Sequence, residues 1–570
     1  MPFNWLDYTV IAAYVAIMVI VGYYSQKRGQ EDLEDYFTGG KNLPWWLIGV
    51  SMVATTFAAD TPLAVTGIIA TEGIAGNWIW WNFMFSGLIT VFLYAKLWKR
   101  ADVITDVEFI SIRYTGRPAR ILRGFRSLYL AFPINCIILG WVTVGMSKIL
   151  MVLTGAGQWE VIIVIYVMIG IYIAFSGLWG VIITDFIQFI IAMVGTIMLA
   201  WYAVDYVGGL DALQAELITI YGEGHSMLSI NPLNSPDIAI ATALVWVGMM
   251  WWASWYPGSE PGGGGYIAQR MFSAKDETNA VGGTLLFNVA HFALRPWPWI
   301  LVALVALVVY PGLDDPETGY PLLMLKLLPA GLLGLLAVAF LAAFVSTVST
   351  HLNWGASYVV NDFYKPFLKP ESEFESKAAA QKHYVLVSRW TTLLMMVAAV
   401  IVSLLFDTVR GGWEAILSIG AGTGLVYMLR WFWWRINAWS EISAMSAAAI
   451  GSFLAPALGF DDFASKMIFT TIFATIIWVT VTFLTKPDDE EILQSFFNRV
   501  KPGGPGWKRF MTLGETTYSL LPGLGYAAIS AVSIIAFLFG MGQIFFESAL
   551  LGVGCFVAGI AGIWFVIRKI

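Results

Sequence analysis

Four hydroxyl side chains close an apolar segment that begins at Leu332. They are Ser346, Thr347, Ser349 and Thr350. On a helix that turns about 100° per residue, Ser346, Ser349 and Thr350 fall within one arc of about 100°. The carbonyl of Ala343 points up the same helix toward Ser346 and Thr347. Hard cations such as Na⁺ prefer neutral and carboxylate oxygens, so the pattern predicts half of a small-cation site.

The same hydroxyls have a purely structural interpretation. Serine and threonine in membrane helices bond back to the carbonyl four residues earlier, or allow two helices to pack closely. The run alone does not separate this interpretation from a cation site.

A single carboxylate, Asp185, stands in the apolar sequence GVIITDFIQ. An isolated charge at membrane depth costs several kcal/mol unless it is protonated, paired or bound to a cation. The same apolar segment contains no lysine or arginine that would pair with it. Cation coordination explains Asp185 most economically, and a protonated carboxyl group bonded between helices is the alternative.

The elements that position these residues must be membrane helices. Hydrophobic residues make up 58% of the 570 residues, charged residues 12%, and the mean hydropathy is +0.72. These values exclude an ordinary soluble globule. The only two cysteines, Cys136 and Cys555, lie in apolar segments, which excludes a disulfide framework. We expect one all-α polytopic membrane domain over residues 1–570.

We count about 15 apolar spans, including a retained first helix. They are 6–24, 45–69, 76–98, 126–153, 159–176, 180–204, 238–274, 285–310, 331–361, 387–405, 413–432, 442–458, 466–484, 526–546 and 550–567. Lysine and arginine concentrate in alternate loops, so the positive-inside rule predicts an amino terminus outside and a cytoplasmic carboxyl terminus in a cell membrane. The segment 485–525 is predicted to be a cytoplasmic amphipathic stretch at the interface, followed by a helix pair over 526–570.

Two of these spans contain features that interrupt a helix. The second contains Asp60 and Pro62, and proline removes a backbone donor. The seventh contains the sequence PGSEPGGGG at 257–265. Irregular backbone at membrane depth persists only where it lies in protein or lines a cavity. The five-span separation matches an inverted repeat whose first helices are broken around a central site. A loop between two shorter spans is the alternative for the glycine-rich segment.

His291 and Arg295 form a further polar pair within an apolar span. Their spacing of four residues places them on one helical face. We expect Arg295 to extend toward the inner interface beside neighbouring tryptophans, in preference to a role in transport.

The chain resembles the sodium:solute symporter family in four segments, over about spans two to eleven. They are KNLPWWLIG at 41–49, GVIITDFIQ at 180–188, YIAQR at 266–270 and AFVSTVST at 343–350. The resemblance implies a LeuT-type five-plus-five inverted repeat, with one extra N-terminal helix and about four extra C-terminal helices. The repeats would span 45–204 and 238–432.

Two sodium sites follow from the resemblance, with sodium as the coupling ion. The first would use the carbonyls of Ala54, Phe57 and Ala343 with the hydroxyls of Ser346 and Thr347. The second, present in some members, would use Asp185, Ser346, Ser349 and Thr350. Because all four positions of the second site retain oxygen ligands, we expect two sodium ions per cycle.

The expected activity is sodium-coupled import of a small polar organic solute, such as a sugar or amino acid, by alternating access. The solute pocket is expected between the two breaks, with Tyr266 also at the family's inner-gate position. Its predicted lining is Thr56, Asp60, Thr61, Asn82, Glu260 and Tyr266. Thr61 replaces a glutamine of the family's sugar carriers, and their asparagine falls in the glycine run, which argues against a glucose-like substrate.

Other function classes fit the sequence less well. A passive sodium or solute channel is one alternative, but two unequal breaks favour a carrier. A transporter-like membrane sensor is another, although no soluble domain is evident. An enzyme is not expected, because the four histidines are scattered and form no evident metal or nucleophile cluster. The expected partners are a small solute and the lipid bilayer, without nucleic acid, and a monomer is sufficient.

Overall fold

The computed structural model describes residues 3–28, 43–103, 107–175, 178–222, 227–253, 261–511 and 519–569. Within these ranges, the side chains of residues 18–28, 171–175, 178–186, 266 and 269 are not described. The predictions for Glu260 and for the side chains of Asp185 and Tyr266 therefore lie outside the described residues.

The described part of the structure is mainly α-helical, and three further helices, Glu108–Arg113, Leu210–Tyr221 and Gly319–Leu327, lie in the segments that connect the numbered ones. The first half comprises α1 (Trp5–Arg28), α2 (Trp45–Thr55), α3 (Thr61–Glu72), α4 (Ile74–Ala101), α5 (Gly116–Thr154), α6 (Gln158–Phe175) and α7 (Leu178–Tyr206). The second half comprises α8 (Ile240–Gly248), α9 (Gly265–Phe272), α10 (Glu277–Val309), α11 (Leu332–Leu368), α12 (Lys377–Ser403), α13 (Val409–Ala421) and α14 (Gly424–Phe432). The remainder comprises α15 (Ala438–Ala457), α16 (Phe463–Leu484), α17 (Glu490–Val500), α18 (Leu520–Phe546) and α19 (Ala549–Ile567).

Nine helices of the described chain are long and apolar enough to cross a membrane, or ten when α13 and α14 count as one span bent by 43°. The other predicted spans correspond to the pairs α2 and α3, α8 and α9, and α13 and α14, and to the single helices α1, α6 and α15. Several helices extend beyond their apolar segments. α5, for example, begins at Gly116, about ten residues before the predicted span. Hydropathy marks the apolar part of a helix, whereas a polar extension in the loop leaves no hydropathy signal.

The first predicted break is present between α2 and α3. α2 ends at Thr55, and the next turn is closed by a hydrogen bond from the Phe57 N–H to the Ala54 carbonyl at 3.1 Å. α3 begins at Thr61 with Pro62 in its first turn, where a missing N–H removes no helical bond. Residues 56–60 therefore cross the middle of the span as irregular backbone.

The second break separates α8 from α9. α8 ends at Gly248 and α9 begins at Gly265. Gly262 and Gly263 have φ angles of +93° and +89°, which glycine tolerates and other residues rarely adopt. The Gly262 carbonyl accepts a 2.6 Å hydrogen bond from the Trp98 indole, so part of the irregular backbone is satisfied by α4.

The C-terminal amphipathic helix packs on protein. In α17, Phe496 is 1% exposed and its ring centroid lies 5.7 Å from that of Phe109. Trp507 lies beside it, with a centroid distance of 5.4 Å. Phe109 belongs to the short helix Glu108–Arg113 after α4, so these apolar side chains of 485–525 pack on the protein, and the cytoplasmic amphipathic segment stays a prediction.

Candidate functional site

A small cavity lies where the end of α2 meets α7 and α11. It is lined by Ala54, Thr55, Phe57, Gln188, Phe189, Ala343, Ser346, Thr347, Thr350 and His351. All five residues predicted for the first sodium site are in this group. The structure thus brings together residues that are nearly 300 positions apart in the sequence.

The break after α2 supplies one wall of this cavity. The Phe57 ring packs against Phe189, Trp299 and Phe340, at centroid distances of 6.0, 6.1 and 6.2 Å. These rings belong to α7, α10 and α11. They hold the unwound turn against three helices, which places its backbone carbonyls beside the hydroxyl run.

The hydroxyl run forms the opposite wall. Many other threonines in the membrane helices donate to a carbonyl three or four residues back, as Thr143 and Thr391 do. Within the described chain, the hydroxyls of Thr347 and Thr350 have no hydrogen-bond partner, and both line the cavity. These two hydroxyls therefore do not bond back to their own helix, which is one of the two structural interpretations of the run; close helix packing is the other.

The predicted second sodium site is only partly visible. Ser346 and Thr350 line the cavity, whereas the Ser349 hydroxyl donates to the Ser346 carbonyl at 3.0 Å. Position 185 belongs to α7, three residues before Gln188, which lines the cavity. The Asp185 side chain lies outside the described residues.

A larger cavity with an empty volume of about 830 Å³ lies between the two breaks. Its lining comprises Thr56, Asp60, Thr61, Trp80, Phe83, Ser86, Gly87, Thr90, Gly263, Ile267, Thr284, Phe287, Asn288, His291, Phe292, Arg295 and Trp413. Three predicted solute-pocket residues, Thr56, Asp60 and Thr61, are among them. Aromatic rings and scattered polar groups in one enclosed space are typical of a small-molecule site.

Asn82 is not brought to this cavity. Its side-chain amide donates to the Trp78 and Ile79 carbonyls at 2.9 and 3.0 Å, and the residue is completely buried. Asn82 thus stabilises the turn between two short segments of α4 in this structure.

His291 and Arg295 contact the broken first helix, which their sequence pattern did not predict. Arg295 is only 3% exposed and donates to the Val53 carbonyl at 3.3 Å and to the Thr56 hydroxyl at 3.2 Å. His291 Nδ1 lies 3.2 Å from the same hydroxyl. The prediction that Arg295 extends to the inner interface is wrong, because its guanidinium joins α10 to the broken first helix and lies over Trp299.

A π-helical turn places these side chains. It spans Val289–Leu294 in α10, and a similar turn spans Thr90–Tyr94 in α4. Both touch the larger cavity, and α4 and α10 are equivalent spans of the two predicted repeats. Each π turn adds a residue to a helical turn, which changes the direction of the following side chains and is common at functional sites.

Comparisons with known proteins agree with this architecture. A Na⁺-coupled sialic acid symporter of known structure superposes with a TM-score of 0.62, at 19% identity, over 86% of this chain and all of that one. The sodium/glucose cotransporter of Vibrio parahaemolyticus is 24% identical over 86% of this chain and 92% of its own length. Rabbit (Oryctolagus cuniculus) sodium/myo-inositol cotransporter 2 is 25% identical over 87% and 79%.

The structural match shows a LeuT-like fold. The sodium:solute symporter family model matches residues 36–451, which is more than half of the chain and includes both cavities. This chain belongs to the sodium:solute symporter family and is a multi-pass membrane transporter that couples solute movement to sodium.

Proposed function

We propose that the chain imports a small polar organic solute together with two sodium ions per cycle. The observation that carries this proposal is the small cavity between α2 and α11. It combines backbone carbonyls at a helix break with the hydroxyls of Thr347 and Thr350, which have no hydrogen-bond partner among the described residues, and sodium favours such neutral oxygens.

The first ion would be held by the carbonyls of Ala54, Phe57 and Ala343 with the hydroxyls of Ser346 and Thr347. These groups belong to both sides of the cavity, so an ion bound there would attach the broken helix to α11. A ligand that binds one conformation more tightly shifts the population toward it. Sodium binding would thereby favour an outward-open state that accepts solute.

The second ion would use Asp185, Ser346, Ser349 and Thr350. Ser349 would have to exchange its present bond to the Ser346 carbonyl for the ion. Ser346 belongs to both sites, which makes it the residue through which the two ions are coupled.

The solute would occupy the larger cavity, with Thr56, Asp60 and Thr61 in its wall and Tyr266 as the inner gate. Glu260 and Asn82 remain candidate solute contacts from the sequence; Asn82 would have to change its present hydrogen bonds. The relatives named for glucose and myo-inositol favour a solute of similar size.

The proposed organisation of the chain has inverted repeats over 45–204 and 238–432. The segment 485–525 would be cytoplasmic, residues 526–570 would form a terminal helix pair, and the amino terminus would lie outside.

The energetics support concentrative transport. One sodium ion moving through about 100 mV releases about 2.3 kcal/mol, which corresponds to about fifty-fold accumulation before any sodium gradient is counted. Two ions square this factor, to about 2,500-fold.

The direct test is uptake into proteoliposomes that contain the purified full chain. Labelled sugars, amino acids and carboxylates are offered with an inward sodium gradient and with an equal potassium gradient. We expect at least one solute to accumulate above its external concentration only with sodium. Equilibration without accumulation would indicate a channel and would contradict the proposal.

A further inference from the structure

Asp60 is a carboxylate in the break between α2 and α3, and it lines the larger cavity. It is 2% exposed, and its Oδ1 atom accepts no hydrogen bond in the described part of the chain. The indole groups of Trp141 and Trp413 are its polar side-chain neighbours. Although Asp60 precedes the first residue of α3, its side chain does not cap that helix.

Close packing holds Asp60 in this place. A Cβ atom on Gly145 of α5 would lie 2.8 Å from the Asp60 Cβ and 2.9 Å from its Cα. Glycine at 145 therefore lets α5 approach the break directly. This close approach packs α5 against the backbone and Cβ of Asp60 at the wall of the cavity.

No cation among the described residues neutralises this carboxylate. Asp60 forms no ion pair within the described residues. Arg295, the guanidinium of the same cavity, instead binds the Val53 carbonyl and the Thr56 hydroxyl. A carboxylate at membrane depth needs a proton, a cation or hydrogen-bond donors to remain there.

The location of Asp60 restricts the charge of the solute group that can bind beside it. In transporters with broken helices, the positive N-terminal end of a half-helix commonly receives an anionic group of the substrate. Here the residue that precedes α3 is itself an aspartate of the chain, Asp60. A solute carboxylate bound here would be repelled by the Asp60 carboxylate, whereas a solute cation with N–H donors would be attracted to it.

The surrounding side chains favour an ammonium group over a bare metal ion. Trp80, Phe83, Phe292 and Trp413 line the same cavity. Aromatic faces attract organic cations, whereas a dehydrated sodium ion requires several oxygen ligands. We propose that the transported solute carries a protonated amine that binds Asp60. This inference rests on the proposed function and adds the chemical class of its substrate.

The test compares three pairs of solutes that differ by an amine in place of a hydroxyl: ethanolamine and ethylene glycol, serinol and glycerol, glucosamine and glucose. Sodium-coupled currents are recorded from proteoliposomes of the full chain on a solid-supported membrane. For at least one pair, we expect the amine to need a concentration at least about tenfold lower for half-maximal current, because a desolvated charge pair forms. An equal or better response to every alcohol would overturn the amine assignment and leave sodium symport intact.

Two variants connect the preference to Asp60. In Asp60→Asn the amine and its alcohol partner should become equivalent, whereas Asp60→Glu should retain part of the preference. Thermal unfolding checks that both variants fold. An undiminished amine preference in folded Asp60→Asn would overturn the role of Asp60. If the wider panel contains sodium-driven solutes and none of them carries an amine, the amine class is wrong and the proposed function stands. If no solute responds to sodium, the proposed function itself fails.

Discussion

The Oδ1 atom of Asp7 accepts a 2.9 Å hydrogen bond from the backbone N–H of Gly334 and a 2.7 Å bond from that of Gly331. Asp7 belongs to α1 and is 1% exposed, so its carboxylate satisfies N–H groups that the start of α11 leaves unpaired. A Cβ on Gly334 would lie 2.7 Å from the Asp7 Cα. α1 thus holds the first turn of the helix that carries the hydroxyl run.

We expect Asp7→Ala to destabilise the protein and to weaken sodium activation. Loss of a capping carboxylate costs about 0.5–2 kcal/mol in soluble helices, and this one is buried. The first turn of α11 should loosen, and the residues of α11 that are proposed to bind sodium should become less well positioned. Thermal unfolding and the sodium dependence of uptake measure the two effects.

Asp462→Ala is the matched control. Asp462 caps α16, outside the predicted repeats, by accepting a 3.0 Å bond from Ser465 N–H. It should lower the unfolding temperature without changing sodium activation. A sodium effect of equal size in both variants would refute the specific connection between α1 and the sodium site.

Thr347→Val should reduce the apparent sodium affinity by about tenfold or more, because it removes a proposed neutral oxygen ligand at constant side-chain shape. Since this hydroxyl has no other partner among the described residues, folding should change little. Thr391→Val is the control, because the Thr391 hydroxyl donates to Val387 within α12. Equal sodium activation curves for wild type and Thr347→Val would exclude Thr347 as a ligand.

Asp185→Asn tests the second sodium site separately. The variant should lower the sodium affinity and change the number of ions moved per solute, because a charged ligand is replaced by a neutral one. The sodium dependence of uptake and the reversal potential report these quantities. Unchanged values for both would remove the second site from the proposal.

Glu317 joins α5 to the start of α13. Its Oε2 atom lies 2.7 Å from Lys148 Nζ and accepts a 3.0 Å bond from Val409 N–H, and the residue is 1% exposed. Breaking such a buried pair costs about 3–5 kcal/mol. Glu317→Gln should therefore lower the unfolding temperature clearly.

Glu414→Gln is the comparison for this change. The Glu414 side chain is 34% exposed and pairs with Arg410 at 2.8 Å. A partly exposed pair contributes at most about 1 kcal/mol. If Glu414→Gln were as destabilising as Glu317→Gln, burial would not explain the importance of the Glu317 pair.

The breaks and the hydroxyl run could be predicted from the sequence because their signals are local, whereas the carbonyl ligands of the proposed sodium site, those of Ala54 and Phe57, were predicted only from the family resemblance. Asp60 and Pro62 interrupt an apolar segment, and the hydroxyl run has helical spacing. The helix ends could not be predicted as well. The first part of α5, for example, is polar in sequence and gives no hydropathy signal, so its start was not predicted.

The direction of Arg295 could not be predicted for a different reason. A helical wheel assumes about 100° per residue, but the π turn Val289–Leu294 precedes Arg295 and changes its direction. The direction of the Asn82 side chain was also not predictable. It depends on the short, irregular segments at the start of α4, which turn the side chain toward backbone carbonyls of the same helix and away from the cavity. Such turns arise from packing between distant helices, which periodicity does not report.

The central claim is that Ser346 couples solute movement to sodium. The most direct measurement is solute accumulation by wild type and Ser346→Ala in matched proteoliposomes under one inward sodium gradient. We predict that the wild type accumulates solute above the external concentration and that Ser346→Ala does not, because both proposed ion sites lose the same hydroxyl. Undiminished accumulation by Ser346→Ala would contradict the account.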